Sequence, residues 1–290
     1  MNILVAFNDN YAMPTKVMLK SLIEKNHYLL DIYVLYVNLS NESIKYISEL
    51  NSEAVYIRFI QIDEDILDYA PVTEFYSKEA YIRLFAHDYL PEDIDRILWL
   101  DSDMIVNGDI REFYDQSFNN KFYVAYKDVF QGDSAKKKAS LGMPADAAYI
   151  NSGILLMNIK EIRKKVKTEM FTGYIKENSD KIVLPDQDVL NALLYDNIKV
   201  IDSDYTYNCF TMNITPWNWR SVFRKSRIIH YAGGLKPWNA AYPYYGFQLW
   251  WKYALMTDIN LISRYKRIFF PCYLAKIKYW IYLKVMRRAP

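Results

Sequence analysis

Arg96-Ile97-Leu98-Trp99-Leu100-Asp101-Ser102-Asp103 is an apolar run that ends on two carboxylates one residue apart. Such a run reads as a buried strand, and its end is where a sheet opens to solvent. Outward from it the chain repeats one pattern. Ile3 to Phe7 is a second buried strand and Asn8-Asp9-Asn10 the loop at its end. Pro14 then opens a helix toward Asn26, from the first-turn position that proline tolerates. Ile32 to Val37 and Val55 to Ile62 are strands, with Ser40 and Asn41 as caps for a helix between them. Residues 77–88 read as a helix carrying Arg83, and helices are expected over 160–178 and 186–195. Further strands are expected at Phe122–Tyr126, Ile154–Ile159, Ile198–Ile201 and Ile228–Tyr231. This alternation predicts an α/β fold with a mainly parallel sheet, helices on both faces and ligands beyond the C-terminal strand ends. Tyr205 to Arg227, with Trp217, Trp219 and few helix signals, reads as a long loop of the kind that covers binding sites.

The 290 residues suit one large domain, or a core with an appended segment, and 52% hydrophobic against 24% charged residues excludes disorder. The net charge of +2 is unevenly spread. After Asp258 there are eight bases (Arg264, Lys266, Arg267, Lys276, Lys278, Lys284, Arg287, Arg288) and no acid, which leaves −6 on the residues before. An acidic body argues against nucleic acid as a partner. The division falls into a body at 1–259 and a basic-aromatic tail at 260–290. Tyr273, Trp280 and Tyr282 among those bases suit an anionic membrane surface, or equally a helix packed on the core with a basic edge. Cys209 and Cys272 alone can form neither a disulfide framework nor a four-thiolate zinc site. There is no basic leader and no 18-residue apolar run, so the expected location is cytoplasmic, the inner face of the cell membrane included.

Asp101 and Asp103 have the chemistry of ligands for Mg²⁺ or Mn²⁺, hard ions that take oxygen and bridge diphosphates. Loop-capping aspartates would look the same. Of three histidines, His27 reads as solvated and His87 as a C-terminal helix cap. His230 follows an apolar pair and precedes Gly233-Gly234-Leu235-Lys236-Pro237-Trp238. Glycines let a backbone approach a diphosphate and lysine supplies a point charge for it; a core histidine beside a tight turn is the alternative.

Six motifs in sequence order resemble glycosyltransferase family 8, in particular its bacterial lipopolysaccharide-type galactosyl- and glucosyltransferases, with glycogenin more distant. They are Ala6-Phe-Asn8-Asp9-Asn10-Tyr11, Tyr81-Ile-Arg83-Leu, Leu98-Trp-Leu-Asp101-Ser102-Asp103, Tyr149-Ile-Asn151-Ser152-Gly153 through Asn158, Pro185-Asp186-Gln187-Asp188, and His230-Tyr-Ala-Gly233-Gly-Leu-Lys236-Pro237-Trp238. The resemblance implies a GT-A-type, Rossmann-like nucleotide-sugar fold followed by a basic-aromatic helical tail. It implies that Asp101, Asp103 and His230 hold Mn²⁺, or Mg²⁺, against the diphosphate of UDP-galactose or UDP-glucose, with Ser102 beside them. Gly233 and Lys236 would contact the diphosphate; Ala6, Asn8, Asn10 and Tyr11 the uridine; Arg83, Asp128, Asn151, Asp186 and Gln187 the sugar. Bacterial relatives usually carry aspartate where this chain has Asn8, whose side-chain oxygen can still accept the uracil N–H.

The implied activity is metal-dependent transfer of galactose or glucose to a glycan, glycolipid or glycoprotein acceptor with retention at the anomeric carbon. Double displacement would need a carboxylate nucleophile. The implied position is held by Gln187, a poor one, which favours a front-face route; Asp186 and Asp188 remain alternative nucleophiles or electrostatic stabilisers. Two other functions use similar parts. A sugar-phosphate nucleotidyltransferase would show a glycine- and arginine-rich N-terminal loop, which Asn8-Asp9-Asn10-Tyr11 is not. A non-catalytic UDP-sugar-binding module or scaffold at the membrane would not need Asp101, Asp103, His230 and Lys236 all intact.

Overall fold

The computed structural model describes every residue except 69–70, 72–77, 129–133, 202–205, 209–218, 240–241, 243–244 and 287–290. Two compact units emerge, each built from separated stretches of chain. The first comprises Met1–Ala12, His27–Ser102 and Ile110–Ser203, the second Met13–Asn26, Asp103–Asp109 and Asp204–Pro290.

In the first unit the strands are β1 (Asn2–Ala6), β2 (Leu30–Tyr36), β3 (Val55–Gln61), β4 (Arg96–Leu100), β6 (Tyr123–Lys127), β7 (Ile150–Asn158) and β8 (Ile198–Ile201), in the order β3-β2-β1-β4-β7-β6-β8. β3, β2, β1 and β4 run parallel, as do β6 and β8, while β7 is antiparallel to both β4 and β6. The sheet is thus mainly parallel, with one reversed strand. Ile3, Leu4, Val5, Ile97, Leu98 and Trp99 are buried, which is why these strands read as unbroken apolar runs rather than as alternating ones. From β1 the chain builds outward to β3 and then returns to lay β4 on the other side of β1. That reversal opens a crevice at the C-terminal ends of β1 and β4. Asn8 and Asp101 leave the sheet there.

The helices of this unit are α2 (Asn41–Ser48), α3 (Ile82–Tyr89), α4 (Arg111–Tyr114), α5 (Ser134–Ser140), α6 (Ile159–Lys165), α7 (Thr168–Glu177) and α8 (Pro185–Leu194). Ser40 caps α2, its hydroxyl accepting the Ser43 N–H at 3.2 Å. Phe85 of α3 meets Phe171 of α7 edge to face in the core. The expected helix over 160–178 is two helices, parted where Val166 turns extended at φ −105°, ψ 128°. The helix expected from 77 begins with a 3₁₀ turn at Lys78–Tyr81.

The second unit holds α1 (Ala12–Lys25) and a three-stranded sheet, β5 (Met104–Val106), β9 (Thr206–Asn208) and β10 (Ile228–His230), in the order β5-β10-β9. β10, expected in the main sheet, pairs antiparallel with β5 and parallel with β9. The stretch read as one loop from Tyr205 to Arg227 contains β9 and a helix, α9 (Trp219–Lys225); residues 209–218, with Trp217, lie outside the described residues. Two helices follow, α10 (Phe247–Thr257) and α11 (Ile262–Met286). The start of α11 packs on α10 through rings, Tyr265 on Trp251 at 5.4 Å and Phe269 on Phe247 at 6.0 Å, with Ile268 and Cys272 buried beneath. The tail from 260 is therefore helical and docked along one face. Among the described residues no helix is long and apolar enough to cross a membrane.

Candidate active site

Arg83 organises the polar end of the first unit. It projects from α3, is buried, and stacks its guanidinium over the Trp99 ring at 4.2 Å. One amine reaches Asp101 Oδ1 at 2.8 Å and the other donates to the Ser152 carbonyl at 2.6 Å. The Arg83 Nε lies 3.0 Å from Asp186 Oδ2, but its single N–H is spent on the Ala80 carbonyl at 3.1 Å. Asp186 Oδ2 thus has a cation beside it and no proton pointing at it: a buried acceptor without a donor among the described residues. Burial pushes the Asp186 carboxyl up to about 6, against the opposing pull of Arg83.

Asp186 to Asp188 open α8, with Pro185 as its first residue. Gln187 is pinned at both ends of its amide. Its oxygen accepts from Asn151 Nδ2 at 3.1 Å and from the Ser152 N–H at 3.2 Å, and its nitrogen donates to Asp128 Oδ2 at 2.8 Å. Asn151, Asp128, Gln187, Asp186, Arg83 and Asp101 therefore form one continuous polar network. Asp188 sits differently. It is fully buried, and its carboxylate takes the Tyr149 hydroxyl at 2.6 Å, Lys137 Nζ at 2.5 Å and the N–H groups of Val183 and Leu184 at 2.7 and 2.9 Å. Four donors saturate it and fix the start of α8.

At the end of β1, Asp9 is tied to Ser40 through the Ser40 N–H at 3.0 Å and hydroxyl at 2.9 Å. Asn8 Nδ2 donates to Glu79 at 3.4 Å, which leaves Asn8 Oδ1 as a second buried acceptor with no donor among the described residues. Ala6 ends the strand half-buried, Tyr11 is half-buried and Asn10 is exposed.

The second unit carries Asp103, His230 and Lys236, all buried. Lys236 Nζ donates to Asp103 Oδ2 at 2.5 Å and to the Tyr231 carbonyl at 3.0 Å. His230 Nε2 faces Asp103 Oδ1 at 3.1 Å, an oxygen left without a hydrogen-bond donor of good geometry among the described residues. Burial alone would raise the Asp103 carboxyl, but Lys236 and His230 together hold it well below the usual carboxylate range. Gly233 has φ +90°, a conformation that L side chains rarely adopt, so the turn after β10 requires glycine there. Chain continuity puts Asp101 two residues before Asp103. A buried carboxylate oxygen beside an imidazole nitrogen is a donor set that fits a divalent cation.

Trp99, Tyr149, Lys137 and Glu79 also touch the site, though the sequence assigns them no role. The first two lie inside the motifs, two residues before Asp101 and Asn151; Lys137 and Glu79 carry no local signal. His87, expected as a charged cap, is buried inside α3, where burial pushes its imidazole toward the neutral form.

The family described as Glycosyl transferase family 8 matches residues 2–241. The chain belongs to that family. Family 8 relatives include a lipopolysaccharide 1,2-glucosyltransferase of Escherichia coli K12, 28% identical over 92% of this chain and 83% of the relative. A lipopolysaccharide 1,3-galactosyltransferase of Salmonella typhimurium is 32% identical over 63% of this chain and 56% of its own. Among solved structures, the galactosyltransferase LgtC with donor and acceptor sugar analogues superposes with TM-score 0.79 at 24% identity, covering 91% of this chain and all of that one. The fold is accordingly the GT-A fold, and the protein is a glycosyltransferase.

Proposed function

We propose that this glycosyltransferase moves galactose or glucose from a UDP-sugar to a glycan acceptor, with retention at the anomeric carbon and with the help of Mn²⁺ or Mg²⁺. The observation that carries the reading is that the three buried carboxylate or amide oxygens without donors among the described residues are Asn8 Oδ1, Asp186 Oδ2 and Asp103 Oδ1. An unpaired buried acceptor costs about 1–3 kcal/mol, so three suggest groups completed by a ligand. Each matches one part of a UDP-sugar. Asn8 Oδ1 suits the uracil N–H, Asp186 Oδ2 a sugar hydroxyl, and Asp103 Oδ1 a metal ion.

Asp101, Asp103 and His230 would hold the cation, which when bound offsets the negative charge of the diphosphate. Lys236 donates to the diphosphate oxygens as charge develops on them, with Gly233 letting the backbone approach and Ser102 beside it. Ala6, Asn10 and Tyr11 complete the uridine site. Arg83, Asn151, Asp128 and Gln187 read the sugar hydroxyls. Gln187 offers no carboxylate, and the Asp188 carboxylate is saturated by four donors. Both facts favour a front-face route: the acceptor hydroxyl oxygen bonds to the anomeric carbon on the side where the phosphate oxygen departs, and its proton passes to that oxygen. Proton NMR of the first-formed glycoside tests the reading. An α-linked product from an α-linked donor is expected, and a β-linked product overturns it.

We further propose that α11 rests on an anionic membrane at the inner face of the cell membrane. Phe270, Tyr273, Leu274, Ile277 and Ile281 are exposed at helical spacing on the side opposite Ile268 and Cys272, flanked by Lys266, Arg267 and Lys278. Co-sedimentation with vesicles containing anionic lipid should fall when Ile277 and Ile281 become glutamate, and should fall in wild type as salt rises. Equal sedimentation of both proteins removes the membrane from the account.

A further inference from the structure

Trp99 and Asp101 are two residues apart at the end of β4, so strand geometry sets both side chains on one face of the sheet. The Trp99 indole Nε1–H donates to Asp101 Oδ1 at 2.8 Å. Arg83 covers the ring of the same tryptophan, its guanidinium carbon 4.2 Å from the centroid, and reaches the same Oδ1 at 2.8 Å. A hydrogen bond from the indole and an ion pair with the guanidinium thus converge on one oxygen of the carboxylate. Of these two the hydrogen bond is the directional one, so the indole N–H sets the rotation of the carboxylate about its Cβ–Cγ bond. Trp99 is 1% exposed, so its ring has no freedom to withdraw the N–H. Asp101 itself is not enclosed in this way, its side chain being 23% exposed.

We propose that Trp99 is a positioning residue that acts through Asp101, its indole N–H presetting the carboxylate to receive a divalent cation. The proposal rests on reading Asp101 as a metal ligand. Partners that orient a ligating group are worth about 10- to 100-fold in metal affinity, because without them the ligand must be ordered when the ion binds. The ring and the N–H have separable roles. The ring face supports Arg83, whereas the N–H alone contacts Asp101.

Trp99→Phe keeps an aromatic face under Arg83 and deletes the N–H; Trp99→Met also fills apolar space without a donor, in case the first variant does not fold. Metal-free protein is titrated with Mn²⁺ by calorimetry, alongside its melting temperature without metal and its affinity for UDP without metal. The expected result is Mn²⁺ affinity weakened about 10-fold or more in either folded variant. UDP affinity in the absence of metal stays within twofold of wild type. Asp103→Asn in the same titration separates the two levels of the argument. If Asp103→Asn weakens Mn²⁺ binding and a folded Trp99 variant binds it within twofold of wild type, the positioning role is overturned and the metal site stands. If wild type takes up no Mn²⁺, both fall together. A lower melting temperature with unchanged Mn²⁺ affinity makes Trp99 a packing residue only and also overturns the proposal.

Discussion

Asp103 and Asp186 are both buried carboxylates, and their surroundings push them in opposite directions. Asp103 has two cationic or ionisable partners, Lys236 and His230, which outweigh its burial. Among the described residues the cation beside Asp186 is Arg83, whose charge is shared with Asp101 and whose Nε proton goes to a backbone carbonyl, so burial wins. The difference teaches that one region is organised around a persistent negative charge and the other around an acceptor of lower charge demand. Under the proposed function, charge handling at a diphosphate and hydroxyl reading at a sugar would call for that division.

Breaking the charged region should cost most. Asp103→Asn removes a ligand oxygen and leaves Lys236 buried without its anion, so turnover should fall on the order of a thousandfold. UDP affinity should drop chiefly in the presence of Mn²⁺, which calorimetry with and without metal reads. Lys236→Ala comes next. If the lysine acts mainly on charge that develops as UDP departs, kcat should fall about a hundredfold with a smaller change in donor affinity. A pure KM effect would instead make Lys236 a clamp on the bound donor.

The smallest effect sharpens the comparison through pH. Asp186 has a raised carboxyl in the fold, about 6 against an ordinary 3.8. The folded state therefore binds the extra proton between those values, and the stability it contributes is full below pH 3.8 and lost as pH rises through 6. Asp186→Asn should erase that slope, and at pH 8 should be more stable than wild type by up to about 3 kcal/mol. Asp103 is depressed, so its contribution is full above 3.8 and lost as pH falls. Asp103→Asn should flatten the acid limb instead. Urea midpoints of both variants from pH 3 to 8 check the two signs; the same limb affected in both would erase the contrast.

Much of this was legible before the structure because it rests on local signals. The run from Ile97 to Leu100 is apolar on both faces, which announces a buried parallel strand, and Pro185 marks where α8 begins. Asn8, Asp101 and His230 fall at or just past strand ends, since polar groups rarely continue a buried run. What was hidden is long-range. β10 resembles any short apolar strand, and only its pairing with β5, more than a hundred residues earlier, places it in a separate sheet. Val166 breaks a helix that apolar periodicity carries straight through. Saturation of Asp188 depends on Lys137 and Tyr149, neither of which its own neighbourhood reveals. Periodicity reports which face is buried, not which donors meet an oxygen once it is.

UDP release by metal-stripped protein supplied with UDP-galactose or UDP-glucose, with and without Mn²⁺, tests the central claim most directly. Wild type should regain turnover on one of the two donors when Mn²⁺ is restored, and Asp103→Asn should not. Equal UDP release with and without metal, or full activity in Asp103→Asn, would contradict the account.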